Sequence, residues 1–150
     1  MIQRIQTVYL LLIAGLMLAM LFLPLSSFAG ADGSLFIFKA LGVTSELKVV
    51  FETWPVVIPV VAVVVNSLIV ISQYKKRPLQ LKLAGTNVLL ILAFYCAFFY
   101  YAWSFMKTTP VEITIGFSLA FPLVALLLNL LAVKAIKKDE KLVRSLNRIR

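Results

Sequence analysis

The sequence predicts an all-α membrane protein: a four-helix transmembrane bundle, a short extracytoplasmic β-hairpin and a C-terminal amphipathic helix. Three observations carry this. Hydrophobic residues make up 62% of the 150-residue chain and charged residues only 14%, too little polar surface to coat a soluble globule. Four uncharged stretches are each long enough to cross about 30 Å of hydrocarbon. The charges fall between these stretches and are sharply unequal on the two sides.

The uncharged stretches cover residues 5–31, 53–74, 83–106 and 113–133. They place spans at about 5–28, 54–74, 83–106 and 113–133, with an outer loop over 30–53 and a cytoplasmic tail over 134–150, all in one domain. The second stretch is rich in Val and Ile, which in water suggests a strand. A lone strand leaves its backbone unpaired in lipid, so a helix is expected. The first has a competing reading as a signal peptide, with Arg4 ahead of it and Ser27-Phe28-Ala29 as a small-x-small cleavage pattern. Its apolar core of 17 residues is longer than the usual ~7–15 of a signal h-region.

Charge sets the orientation. Twelve Lys and Arg residues lie on the side of the two termini and the loop near residues 75–82, and three (Lys39, Lys48 and Lys107) lie on the other. The positive-inside rule then puts both termini in the cytoplasm of a bacterial inner membrane. The net charge of +9 follows from the same distribution. It implies attraction to anionic lipid headgroups, and no motif supports nucleic-acid binding.

In the outer loop, Asp32-Gly33 is a turn signal. Residues 34–39 are β-prone, Gly42 interrupts them, and residues 44–51 can pair back as a second strand. Leu35, Phe36 and Phe38 are too apolar for a solvated loop. They form either a partner surface or a lid packed on the bundle. The second outer loop, 107–112, reads as a turn. In the tail, Leu142, Val143, Leu146 and Ile149 share one helical face, with Lys141, Arg144 and Arg148 largely off it. Such a helix lies in the membrane interface or docks to a cytoplasmic partner. Lys75, Lys76 and Arg77 give the inner loop a basic surface of the same kind.

No charged residue lies within the spans, which argues against a charge-driven pump or carrier. Asn66, Asn87 and Asn129 are deep amides, read either as interhelical hydrogen-bonding groups or as contacts to a substrate. Pro59–Asn66 and Pro122–Asn129 repeat one seven-residue frame, which suggests a duplicated hairpin or coincidence. Each proline is expected to kink its helix. Glu52 and Glu112 both precede helices running inward. The chain has no histidine and one cysteine, Cys96. No cofactor, metal cluster or catalytic constellation is therefore expected, and an enzyme is disfavoured.

The opening Met1-Ile2-Gln3-Arg4-Ile5-Gln6-Thr7-Val8-Tyr9-Leu10 and the closing run from Lys138 to Arg150 resemble the two ends of an uncharacterised family of small four-helix membrane proteins from Bacteroidota. The layout between them, including Leu79-Gln80, is similar. That resemblance implies a fold and an inner-membrane location, without an activity. The expected role is a non-catalytic accessory or scaffold subunit of a larger inner-membrane complex, in envelope biogenesis or protein export, with a membrane-protein partner. The alternative is a small transporter or lipid-handling protein with a cleft near Asn66 and Asn129.

Overall fold

A computed structural model describes residues 2–30, 33–45, 48–74 and 76–148, with the side chains of 2–4 and 142–148 outside the description. Four helices are long and apolar enough to cross a membrane. They are α1 (Ile2–Phe22), α2 (Val57–Ser72), α3 (Arg77–Thr108) and α4 (Phe121–Arg148). Neighbours in sequence pack against each other, and α4 closes the ring against α1. The starts of α1 and α3 and the ends of α2 and α4 therefore lie at one end of the bundle, called here the far end.

The all-α expectation is overturned at the opposite end. Five strands form one antiparallel sheet there, in the order β4-β3-β2-β1-β5. They are β1 (Ser26–Gly30), β2 (Leu35–Lys39), β3 (Gly42–Ser45), β4 (Lys48–Glu52) and β5 (Val111–Ile115). The expected hairpin is the middle of this sheet, but its second strand is divided. Gly42 opens β3, facing Lys39, and the pairing of β3 with β4 shifts register between Val43 and Thr44. Two strands come from segments expected to be something else. β1 was counted as the end of the first span, and β5 covers part of the 107–112 turn and the start of the fourth span. Ser26–Gly30 is uncharged and so extends an apolar ruler, although Pro24 has already ended the helix. Val-Glu-Ile-Thr-Ile alternates and is β-branched, a strand signal hidden beside a longer apolar run.

The sheet is supported by α3. The Tyr95 hydroxyl donates to the Leu119 carbonyl at 2.8 Å, which sets mid-α3 level with the turn that opens α4. The residues from Tyr95 to Thr108, about 20 Å of helix, rise beyond it. Phe105, 2% exposed, stands at the centre of the sheet's inner face. Its ring centroid is 5.1 Å from Phe28 of β1, 5.4 Å from Phe36 of β2 and 5.9 Å from Phe51 of β4. Phe38 packs on Phe98 at 5.2 Å. The β2 rings thus step down α3 from Phe105 to Phe98, so β2 runs along the helix. Aromatic pairs at these spacings contribute about 0.5–1.5 kcal/mol beyond their buried area.

The other ends of the helices also differ from the expected spans. α3 begins at Arg77, ahead of Lys82, with Pro78 in its opening turn where a missing N–H is harmless. A 3₁₀ turn precedes α2 (Trp54–Val56) and another precedes α4 (Phe117–Ala120). Pro59 and Pro122 then fall in the first turns of their helices. The expected kinks are absent because those turns have few intrahelical acceptors to lose. The tail is no separate helix: α4 continues to Arg148.

The sheet joins the helices at a tight crossing. The Gly116 N–H donates to the Leu25 carbonyl at 2.9 Å, and the Ser118 hydroxyl donates to the Pro24 carbonyl. A Cβ on Gly116 would lie 2.7 Å from the Leu25 carbonyl oxygen and 2.8 Å from that of Pro24, backbone atoms that cannot swing away. Gly116→Ala should therefore destabilise the protein by about 1–3 kcal/mol. Gly85→Ala, with nothing within 4 Å of the new methyl, should be neutral or mildly stabilising. Thermal melts in detergent of the two variants test this, and equal melting temperatures would refute the crossing as a constraint.

Candidate functional site

Two features combine polar groups with position: a seam of amides around α3 and the open edge of the sheet. In the seam, the Asn66 amide uses both hydrogens, donating to the Leu83 carbonyl at 2.8 Å and to Asn87 Oδ1 at 2.8 Å. Asn87 in turn donates to Ser67 Oγ at 3.1 Å. Gln80 donates to the Val70 carbonyl at 2.9 Å, which ties the far ends of α2 and α3. On the α4 side, Asn129 donates to the Ala84 carbonyl at 2.8 Å. All these side chains are buried.

The two Pro-x6-Asn frames therefore do the same thing structurally. Each places its proline in the opening turn of a helix and its asparagine on one of two adjacent α3 carbonyls, Leu83 and Ala84. This equivalence gives the sequence repeat a mechanical meaning. It also directs Asn66 and Asn129 onto α3 from its two neighbouring helices. Asn66 commits both amide hydrogens to protein acceptors, and Asn129 donates one to the Ala84 carbonyl. The Asn129 Oδ1 atom is buried with no partner among the described residues, as is Gln6 Nε2.

The remaining expected residues divide between inside and outside. Phe38 is fully buried and Phe36 half-buried, both turned onto α3, while Leu35 is 66% exposed. The hairpin's aromatics are thus a lid on α3, and the alternate residues Leu35 and Ile37 face away from it. Arg77 bridges helices: its guanidinium lies 2.9 Å from Asp139 Oδ2 and donates to the Asp139 carbonyl at 2.6 Å. That draws Asp139 of α4 into an interhelical contact with α3. Lys76 and Lys141 are exposed. Lys75 lies outside the described residues, as do the side chains of Arg144 and Arg148 and the apolar tail face from Leu142 to Ile149. Gly15 and Ala19 face outward on α1, and Cys96 is exposed. No grouping of His, Cys, Asp or Glu able to hold a metal occurs among the described residues.

Glu52 and Glu112 do not share a site, since they lie in β4 and β5, at opposite edges of the sheet. The two edges differ in kind. β4 carries Lys48 and Glu52 at its ends and pairs through an irregular register, features that discourage further strand addition. β5 has no lysine, proline or bulge. Its outward backbone groups follow from the ladder. The Gly30 N–H donates to the Ser34 carbonyl at 2.8 Å, so even-numbered β1 residues bond toward β2 and odd-numbered ones toward β5. The Leu25–Gly116 bond has the same parity. Ser27 and Ala29 therefore bond to Thr114 and Glu112, and the N–H and C=O groups of Val111, Ile113 and Ile115 point away from the sheet. An open cleft of about 580 Å³ lies beside them, lined by Ala29, Gly30, Pro110, Val111 and Glu112. Sequence reading missed this edge; the alternation of residues 111–115 was the signal that could have found it.

The family model of a domain of unknown function, DUF4293, matches residues 2–149. The chain belongs to this family. A search of curated proteins finds no match. The family match spans the helices and the sheet together, so both features described above lie within the family's domain.

The seam gives a contrast between two asparagines. Asn87→Leu removes the acceptor of Asn66 and the donor to Ser67, and should destabilise the bundle by about 0.6–1.7 kcal/mol, the range for interhelical hydrogen bonds. Asn129→Leu removes one bond together with an unpartnered buried acceptor and should be close to neutral, or stabilising. Reversible unfolding in mixed micelles measures both, and an Asn129 variant weaker than the Asn87 variant would contradict the assignment.

Proposed function

We propose that the protein is a non-catalytic accessory or scaffold subunit of a larger inner-membrane assembly, and that it engages its partner by strand addition at β5. The observation that carries this reading is the free edge itself. Three alternate residues, Val111, Ile113 and Ile115, turn backbone donors and acceptors outward and carry β-branched side chains. Strand addition draws affinity from such main-chain groups and specificity from alternate side chains. Glu112, the charge on β5, favours a partner segment with a basic residue opposite it.

The orientation supporting this reading is the one set by the twelve-to-three division of Lys and Arg: termini in the cytoplasm, sheet outside, in a bacterial inner membrane of the Bacteroidota type that the chain's ends resemble. Because β2 runs along α3, the strands stand along the membrane normal. Antiparallel pairing of β5 with itself would invert the second copy in the bilayer, which favours a different chain as the partner. Engagement of the Asn66 and Asn129 amides on α3 carbonyls supports this reading over a transporter.

The full chain, extracted gently with a photo-crosslinking residue at Ile115, should yield one stoichiometric membrane-protein adduct. Ile113→Pro deletes an outward N–H that pairs with nothing in the sheet and should reduce that adduct at least tenfold. Ile113→Thr, which keeps the N–H, should retain most of it. Recovery as a lone monomer or self-oligomer, or equal crosslinking by all three forms, would defeat the proposal.

A further inference from the structure

We propose a second site: the cleft between the far ends of α3 and α4 seats the headgroup of an anionic phospholipid from the cytoplasmic leaflet. It rests on the reading of the four helices as membrane spans with the end of α4 inside.

The argument begins with a stripe on α4. Leu123, Leu127, Leu130, Lys134, Lys137 and Lys141 follow one another at alternating intervals of four and three residues. Such spacing keeps them on one side of a helix. All six are exposed. The first three are leucines on a surface that no other helix of the bundle covers, and the last three are lysines. The stripe changes from hydrocarbon-seeking to phosphate-seeking at Lys134, with no rotation of the helix. Long lysine side chains at such a point carry their ammonium groups to the headgroup level.

The cleft lies on this basic stretch. It has a volume of about 270 Å³ and is lined by Leu81 of α3 with Lys137, Glu140 and Lys141 of α4. The Arg77–Asp139 ion pair at 2.9 Å fixes the two helices at its end and so holds its width. Lys137 and Lys141 are one turn apart, with Cβ atoms about 5–6 Å from each other by helix geometry, a spacing at which both ammonium groups reach one phosphate. Leu81 supplies an apolar wall for the glycerol and first acyl carbons. Glu140 adds a carboxylate, so the lining carries two positive charges and one negative. That balance matches a single phosphodiester charge, which phosphatidylglycerol carries. Basic pockets between helices on the cytoplasmic side bind anionic headgroups in this way.

The test is native mass spectrometry of the full chain in detergent, titrated separately with phosphatidylglycerol, phosphatidylcholine and soluble glycerol phosphate. Phosphatidylglycerol should be retained preferentially. The double variant Lys137→Ala/Lys141→Ala should bind it roughly thirtyfold more weakly, from about 1 kcal/mol per basic residue. Lys39→Ala/Lys48→Ala, at the sheet end, should bind as the unaltered chain does. Leu81→Trp keeps every charge and fills the cleft, and should also lose the lipid. Thermal melts confirm that each variant is folded. Equal retention of phosphatidylcholine, full competition by glycerol phosphate, or undiminished binding by both cleft variants would each overturn the site. Thiol labelling of Ser145→Cys in a Cys96→Ser background, with a membrane-impermeant reagent on intact cells, reads the orientation separately. Labelling from outside would refute that orientation whatever the lipid result.

Discussion

The contact on which the molecule depends is Phe105 of α3 among Phe28, Phe36 and Phe51. It occurs beyond the turn that opens α4, where α3 has no neighbouring helix to bury its inward face. A bare helix there would expose an aromatic ridge, and a bare sheet would expose three more rings. Each supplies the other's missing layer, as two packed layers must. Phe38 on Phe98 extends the contact downward, so the sheet stands along α3 and is anchored at two levels. Because β1 follows α1 directly, β4 leads into α2 and β5 leads into α4, this contact also positions the ends of the other three helices.

Within the bundle, the same helix is the reference for polar groups. The amides of Asn66 and Asn129 close on adjacent carbonyls of α3, approached from the two helices that flank it, and Asn87 completes a chain to Ser67. An amide inside an apolar bundle must find a partner, and α3 offers carbonyls already fixed by its own ladder. At its far end, Arg77 and Gln80 bind Asp139 and Val70. From one end to the other, α3 thus fastens α2, α4 and the sheet, while α1 packs on α2 and α4.

Much of this was legible in the sequence, and what was hidden had a physical reason. The four long helices follow from uncharged length. The aromatic and β-branched content of residues 34–39 gave β2, and the shared frame of Pro59–Asn66 and Pro122–Asn129 foreshadowed matched roles. The sheet as a whole was not legible. β1 lies within the same uncharged stretch as α1, so a rule based on charge spacing assigned it to the helix. β5 sits between a turn and an apolar run, and its partner is more than eighty residues away; strand pairing over such distance leaves no local mark. α3 extends beyond the span expected at 83–106 for the opposite reason: Arg77 and Lys82 interrupt an apolar count without interrupting a helix. Of the surface groups, Phe36 and Phe38 were visible as apolar and unusual, but sequence did not determine that they face inward while Leu35 faces outward. The open edge of β5 depends on hydrogen-bond parity, a property of the assembled ladder.

The pairing of β1 with β5 has a consequence for how the chain is made. Residues 26–30 leave the ribosome early and form a hairpin with β2, but their other edge must wait for residues 111–115. The packing of α1 against α4 waits with it. Until α4 is in place, the first helix has one neighbour and the nascent sheet has β1 as its edge, with the backbone groups of Ser27 and Ala29 unpaired. The arrival of β5 covers that edge and closes the helical ring at the same step, through the Leu25–Gly116 and Ser118–Pro24 bonds. Completion of the sheet and closure of the helical ring are therefore one event. A chain halted before residue 111 lacks both.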